Sequence, residues 1–161
     1  MSLGAVGRVG VVLDQAGMVS FALGDARVAE LIVEAAAQHL FVGVPAVALL
    51  AAHTTVRGDD AARARLGLLT ALPAVRVLPL AEAEAAGVAN LPAAKGAKGA
   101  EDVGDANDAD NAVGGSPGDL GRAHAVWAAE TYRAYYVTTD AGSAPGRLPP
   151  GQIVDLAAGP E

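Results

Sequence analysis

Two aspartates in this sequence directly follow apolar runs that are typical of buried β-strands. Asp14 ends the run VGVVL, and Asp140 follows YYVTT near the other end of the chain. A buried carboxylate is costly unless a metal ion, a basic group or backbone N–H donors pair with it. Asp14 is therefore either the N-cap of a following helix or part of a polar site at a strand end. Asp140 is either a second member of that site or a turn residue.

Further polar side chains lie close to Asp140 in the sequence. Thr138 and Thr139 either hydrogen-bond to carboxylates of the site or simply end the strand. Asp119 is either the N-cap of the last long helix or a further carboxylate of the site. His124 is either a neighbour of the site, able to ligate a softer ion such as Mn²⁺ or Zn²⁺, or a structural histidine.

The elements that must position these residues alternate along the chain between strand and helix. Apolar runs predict strands at residues 8–13, 40–44, 75–78, 134–140 and 152–156. Helical patterns and caps predict helices over residues 15–23, 26–38, 45–56, 60–72, 81–90 and 120–133. This alternation predicts an α/β three-layer sandwich with a mostly parallel sheet of four to five strands and helices on both faces. Ligands of such sheets collect at the carboxyl ends of the strands, where Asp14 and Asp140 would meet.

Composition limits the class of protein. The 161 residues suit a single domain, and 52% hydrophobic content with only 4% aromatic residues predicts an aliphatic core. No cysteine is present, which excludes disulfides and thiolate metal sites. No apolar run is long enough for a membrane span, so we expect a soluble cytoplasmic protein without a membrane partner. A net charge of −7 argues against general, salt-driven wrapping of nucleic acid.

Residues 92–118 differ in composition from the rest of the domain. They are rich in Gly, Ala and Asp and lack large apolar side chains, which predicts a flexible insertion. The acidic stretch EDVGDANDAD fails the pattern of a calcium-binding loop. Counted from Asp105, Ala109 stands where an oxygen ligand is needed and Asp110 where a glycine is needed.

Four stretches in chain order resemble the motifs of PIN domains, the fold of many bacterial toxin ribonucleases from toxin–antitoxin pairs. They are VVLDQAGMVSFAL, VGVPAVALLAAHTTV, VRVLPLAEAEAAGVANL and DLGRAHAVWAAETYRAYYVTTD, and together they cover most of the chain apart from the insertion. The resemblance implies carboxylates that hold Mg²⁺ or Mn²⁺, which activates water for hydrolysis of an RNA phosphodiester. It also implies a cognate antitoxin, an RNA substrate and a homodimer as partners.

The sequence departs from the PIN pattern at two of the four acidic positions. Ala51 stands where the family has a Glu, and His124 where it has an Asp. The resemblance then assigns metal binding to Asp14 and Asp140, and catalysis to these two together with Asp119. Loss of two anions predicts much weaker metal binding.

Three arginines near a helix–helix turn are candidates for contact with RNA phosphates. Arg57, Arg63 and Arg65 either bind RNA or form an ordinary solvated face. The sequence thus predicts a weakened, metal-dependent endoribonuclease of the toxin type. The alternative is a catalytically inactive PIN-like module that acts by binding protein or RNA. A nucleotide-binding domain is disfavoured because DQAGMVS, after the first strand, contains a single glycine.

Overall fold

The computed structural model of the protein describes residues 7–91, 117–140 and 146–157. Most of the insertion expected at residues 92–118 lies outside the described residues. Its last two residues, 117 and 118, belong instead to a helix.

Five parallel strands form the sheet. They are β1 (Val9–Leu13), β2 (Phe41–Pro45), β3 (Val75–Leu78), β4 (Tyr135–Thr138) and β5 (Ile153–Asp155). Their order across the sheet is β3-β2-β1-β4-β5, and every neighbouring pair is parallel. The central strand β1 therefore has β4 on one side and β2 on the other. This arrangement confirms the predicted parallel sheet and brings the carboxyl ends of β1 and β4 together.

Six helices connect and cover the strands. They are α1 (Gln15–Ala22), α2 (Ala26–Ala37), α3 (Ala46–Thr55), α4 (Asp60–Ala71), α5 (Glu82–Ala89) and α6 (Pro117–Tyr132). Three aspartates cap the N-termini of α1, α2 and α4. Asp14 accepts from the Gly17 N–H at 2.8 Å, Asp25 from Arg27 at 3.0 Å and Asp59 from Ala62 at 2.9 Å. Each of these helices thus begins where the sequence offers a side-chain acceptor.

The alternation of side chains along the strands divides the core into two layers. Val11 and Leu13 of β1 pack into a cluster with apolar residues of α1 to α4, on one face of the sheet. Val12 and Tyr136 point to the other face, where they meet four small or β-branched residues of α6. Helices therefore cover both faces of the sheet, as a three-layer sandwich requires.

Helix α6 begins earlier than the sequence predicts. Within the described residues it starts at Pro117, so Asp119 lies inside the first turn and is not the N-cap. A proline is tolerated in the first turn because the N–H groups there have no partner within the helix. No helix in the described ranges is both long enough and apolar enough to cross a membrane.

Candidate functional site

A pocket of about 390 Å³ lies at the carboxyl ends of β1 and β4. Asp14 and Asp140 both line it, as expected for carboxylates that follow two neighbouring parallel strands. The N-terminus of α1 contributes Gln15 and Ala16, and the first turn of α6 contributes Gly118. Of the residues singled out from the sequence, the pocket brings together Asp14, Asp140 and Thr139.

Asp14 is both a helix cap and a member of this pocket. Its side chain is 4% exposed, with Oδ1 accepting from the Gly17 N–H at 2.8 Å and Oδ2 from the Tyr136 hydroxyl at 3.0 Å. Burial raises the pKa of Asp14, and the hydrogen bonds from Gly17, Thr138 and Tyr136 only partly offset that rise. Asp14 therefore caps α1, as one interpretation of the sequence has it, and also lines the pocket.

The Tyr136 hydroxyl interacts electrostatically with both Asp14 and Asp140. Its ring is fully buried in β4. Burial and the Asp14 carboxylate raise the pKa of the Tyr136 hydroxyl far above its usual value, and Asp140 adds to that rise. The hydroxyl is thus held in its protonated form and donates to Asp14. Analysis of the sequence missed this contact, since a tyrosine in an apolar strand indicates core packing.

The threonines predicted to neighbour the site lie beside Asp140. The Asp140 N–H donates to Thr138 Oγ1 at 3.0 Å, and this hydroxyl is fully buried. Thr139 lines the pocket and shares a 2.9 Å hydrogen bond with Ser20 of α1. These contacts hold the segment that carries Asp140 against α1.

Arg122 also lines the pocket, and the sequence analysis did not single it out. It lies half-buried on α6, four residues after Gly118 and therefore on the same face of the helix. Its guanidinium lowers the pKa values of both Asp14 and Tyr136. The four-residue spacing of Gly118 and Arg122 places both on one face of a helix. The sequence alone did not extend α6 back to Gly118, so this spacing could not be used there.

The donor set does not fit a resident divalent cation. Among the described residues, no group of three or more His, Cys, Asp or Glu side chains is arranged to hold a metal ion. Both oxygens of Asp14 already accept hydrogen bonds. Ala51, at the position where a Glu was expected, is buried in α3. Arg122 adds a positive charge to the same pocket, which disfavours a cation there.

His124 does not line the pocket, and its surroundings match the second alternative, a structural histidine. Its side chain is 0% exposed, it is not among the residues that line the pocket, and its ring packs near Trp127. The Val47 N–H, in the first turn of α3, donates to His124 Nδ1 at 3.5 Å. Because Pro45 provides no side-chain cap for α3, His124 serves that helix end from α6. The structural role is the one that this geometry favours.

The burial of His124 predicts a loss of stability on acidification. Burial lowers the pKa of His124, although Glu84 and the Pro79 backbone favour the protonated ring. As pH drops below about 6.5, the ordinary pKa of histidine, His124 binds a proton in the unfolded chain but not yet in the folded protein. We expect the free energy of unfolding to fall as pH drops from about 6.5 toward the lowered pKa.

Urea unfolding as a function of pH tests this expectation. The His124→Gln variant should show a smaller change than the wild type over the same pH range, since Gln has no titrating group. His39→Gln serves as the control, because His39 lies in the turn between α2 and β2. An unchanged pH dependence in His124→Gln would contradict the prediction.

The remaining residues that the sequence suggested for catalysis or RNA contact do not line the pocket. Asp119 is exposed in the first turn of α6, next to Gly118. Arg63 pairs with Asp60 at 3.0 Å, and Arg65 donates to the Ala22 carbonyl at 2.9 Å. Arg57 is exposed in the turn after α3. Their proposed roles in catalysis and RNA contact stay predictions.

One solved structure that resembles this chain is VapC20 of Mycobacterium tuberculosis, a toxin that cleaves the sarcin-ricin loop. The TM-score is 0.53 at 12% sequence identity, and the alignment covers 86% of this chain and 97% of that chain. No family model and no curated protein matches the sequence. The likeness confirms the PIN-like three-layer fold.

Proposed function

We propose that this chain is a PIN-like module that binds RNA through the pocket at the carboxyl edge of its sheet. The observation that carries the proposal is Arg122 in a pocket where two helix N-termini also meet. A guanidinium is the side chain best suited to a phosphate group, because it donates parallel hydrogen bonds to two oxygens. The N-termini of α1 and α6 add backbone dipoles that favour an anion.

The polar residues around Arg122 suit the same ligand. Gln15, Ser20, Thr55 and Thr139 line the pocket and carry amide or hydroxyl groups. Such groups bond to phosphate oxygens and to sugar hydroxyls without reading base sequence. Asp14 and Asp140 both repel a phosphate, but the oxygens of Asp14 are turned to Gly17 and Tyr136. We therefore expect binding to be moderate in affinity and to weaken as salt concentration rises.

A second candidate function is metal-dependent hydrolysis of RNA, at a rate reduced by the missing acids. The observation that favours it is that Asp14 and Asp140 line one pocket. The donor set described above favours binding without cleavage. Mg²⁺ or Mn²⁺ as a cofactor and a cognate antitoxin as partner stay predictions from the resemblance to PIN domains, as does a homodimer.

Fluorescence anisotropy with a labelled RNA stem-loop tests the proposal. The sarcin-ricin stem-loop and an unrelated hairpin serve as the two probes. We expect Arg122→Gln to weaken binding about ten-fold or more, since a charge-assisted hydrogen bond contributes about 1.5–3 kcal/mol. Arg133→Gln, exposed after the other end of α6, is the matched control and should bind as the wild type does. Arg57→Gln tests the contact predicted from the sequence.

Gel analysis of the same RNAs separates the two candidate functions. Incubation with Mg²⁺ or Mn²⁺ should leave both RNAs intact if the module only binds. Cleavage that disappears in Asp140→Asn would establish hydrolysis instead. Equal affinity of wild type and Arg122→Gln for both probes would remove the pocket as the RNA site.

A further inference from the structure

We propose that Arg122 determines the ligand specificity of the pocket, so that its guanidinium excludes a divalent cation that Asp14 and Asp140 would otherwise bind. The inference deepens the proposed function, because it says why the pocket does not hold a cation. It concerns the pocket without RNA, however, and its test uses none. The two proposals can therefore fail separately.

The argument begins with the charges that share the pocket. Asp14 and Asp140 supply two negative side chains, and Arg122 is the cationic side chain that lines the pocket with them. Arg122 is half-buried on α6 and Asp14 is almost completely buried at the end of β1, whereas Asp140 is exposed. The interaction between Arg122 and Asp14 is therefore less screened by water than one between surface charges. The single positive charge of Arg122 therefore offsets part of the negative charge of the two carboxylates.

Position along the helix explains why the guanidinium stays in the pocket. Gly121, the residue before Arg122, is packed against the backbone of Ala48 in α3. This close approach sets the distance of α6 from α3 at the turn of α6 that carries Arg122. Gly118, one turn earlier on the same helix face, also lines the pocket.

A divalent cation and a guanidinium compete for the same carboxylates. Mg²⁺ can be bound through one or two carboxylates and keeps several waters, so two aspartates are enough for weak binding of a divalent cation. A positive charge within the same pocket opposes that binding by Coulomb repulsion. Replacing Arg122 by Asp removes the opposing charge and adds an oxygen donor from the same helix face. The pocket would then contain three carboxylates.

Titration with Mn²⁺, followed by the electron paramagnetic resonance signal of the free ion, tests the inference. We expect Arg122→Asp to bind Mn²⁺ at least about ten-fold more tightly than the wild type. Arg122→Lys keeps the positive charge and should resemble the wild type. Adding Asp140→Asn to Arg122→Asp should abolish the gain. Arg133→Asp, which adds the same charge change after the far end of α6, should show no gain.

Two results would overturn the inference. One is Mn²⁺ binding by the wild type and Arg122→Lys as tight as by Arg122→Asp. The other is a folded Arg122→Asp variant, with wild-type circular dichroism, that does not bind Mn²⁺. If Arg122→Asp fails to fold, Arg122→Gln takes its place against Arg122→Lys. Equal Mn²⁺ affinity of that pair would then reject the role assigned to Arg122.

Discussion

Replacing Gly121 with alanine is expected to lower the free energy of unfolding by about 1–3 kcal/mol, the usual cost of overfilling a packed interior. A Cβ atom at position 121 would lie 2.9 Å from Ala48 Cα and 3.3 Å from its backbone nitrogen. These are backbone atoms of α3, so no side-chain rotation relieves the clash. Helix α6 must instead move away from α3, which opens the interface between them.

Gly67 provides the matched control for this substitution. It is also a glycine inside a helix, α4, but it is exposed and no atom lies within 4 Å of a Cβ built there. Gly67→Ala should raise the free energy of unfolding by up to about 1 kcal/mol, because alanine is the better helix former. Urea unfolding of both variants measures the contrast. Equal effects of the two substitutions would show that α6 does not pack on α3 as described.

Replacing Asp14 with asparagine is expected to stabilise the protein near neutral pH. Since burial raises the pKa of Asp14, the folded protein binds a proton more tightly than the unfolded chain does. The free energy of unfolding then falls as pH rises from about 3.9, the ordinary pKa of aspartate, through the raised pKa of Asp14. At neutral pH Asp14 is ionised, and the protein bears the full loss of stability. Each unit of pKa shift corresponds to about 1.4 kcal/mol.

Asparagine keeps the cap contact of Asp14 and reverses the hydrogen bond with Tyr136. Its carbonyl oxygen accepts from the Gly17 N–H, and its amide donates to the Tyr136 hydroxyl, which becomes the acceptor. Asparagine is also as good an N-cap as aspartate. The Asp14→Asn variant should therefore be more stable than the wild type at neutral pH. It should also lack the part of the decline in the free energy of unfolding with rising pH that Asp14 causes. Asp14 is then a residue whose charge costs stability, which is typical of a site kept for function.

Asp25 supplies a control of opposite sign. It caps α2 as Asp14 caps α1, but the hydrogen bonds from Arg27 lower its pKa. The ionised form of Asp25 therefore contributes stability above its ordinary pKa and loses it as pH falls. Asp25→Asn should destabilise the protein at neutral pH, where Asp14→Asn stabilises it. Urea unfolding at several pH values measures both. A loss of stability in Asp14→Asn would contradict the burial argument.

The sequence by itself determined the elements and their order in the fold. Apolar runs, N-cap aspartates and helix-ending residues are local signals, because they depend on neighbours within one or two turns. They placed β3 at residues 75–78 as observed and predicted Asp14 at the edge of the sheet beside Asp140. Alternation of strands and helices then predicted the parallel sheet.

Only the tertiary structure decided which side chains share the site. Tyr136 reaches Asp14 across 122 residues, and Val47 reaches His124 across 77. Arg122 lines the pocket on a part of α6 where Gly121 packs against the backbone of α3. Such contacts depend on how far two helices approach and on which face each presents. No local pattern records that docking, so the sequence left the role of His124 open and did not single out Arg122.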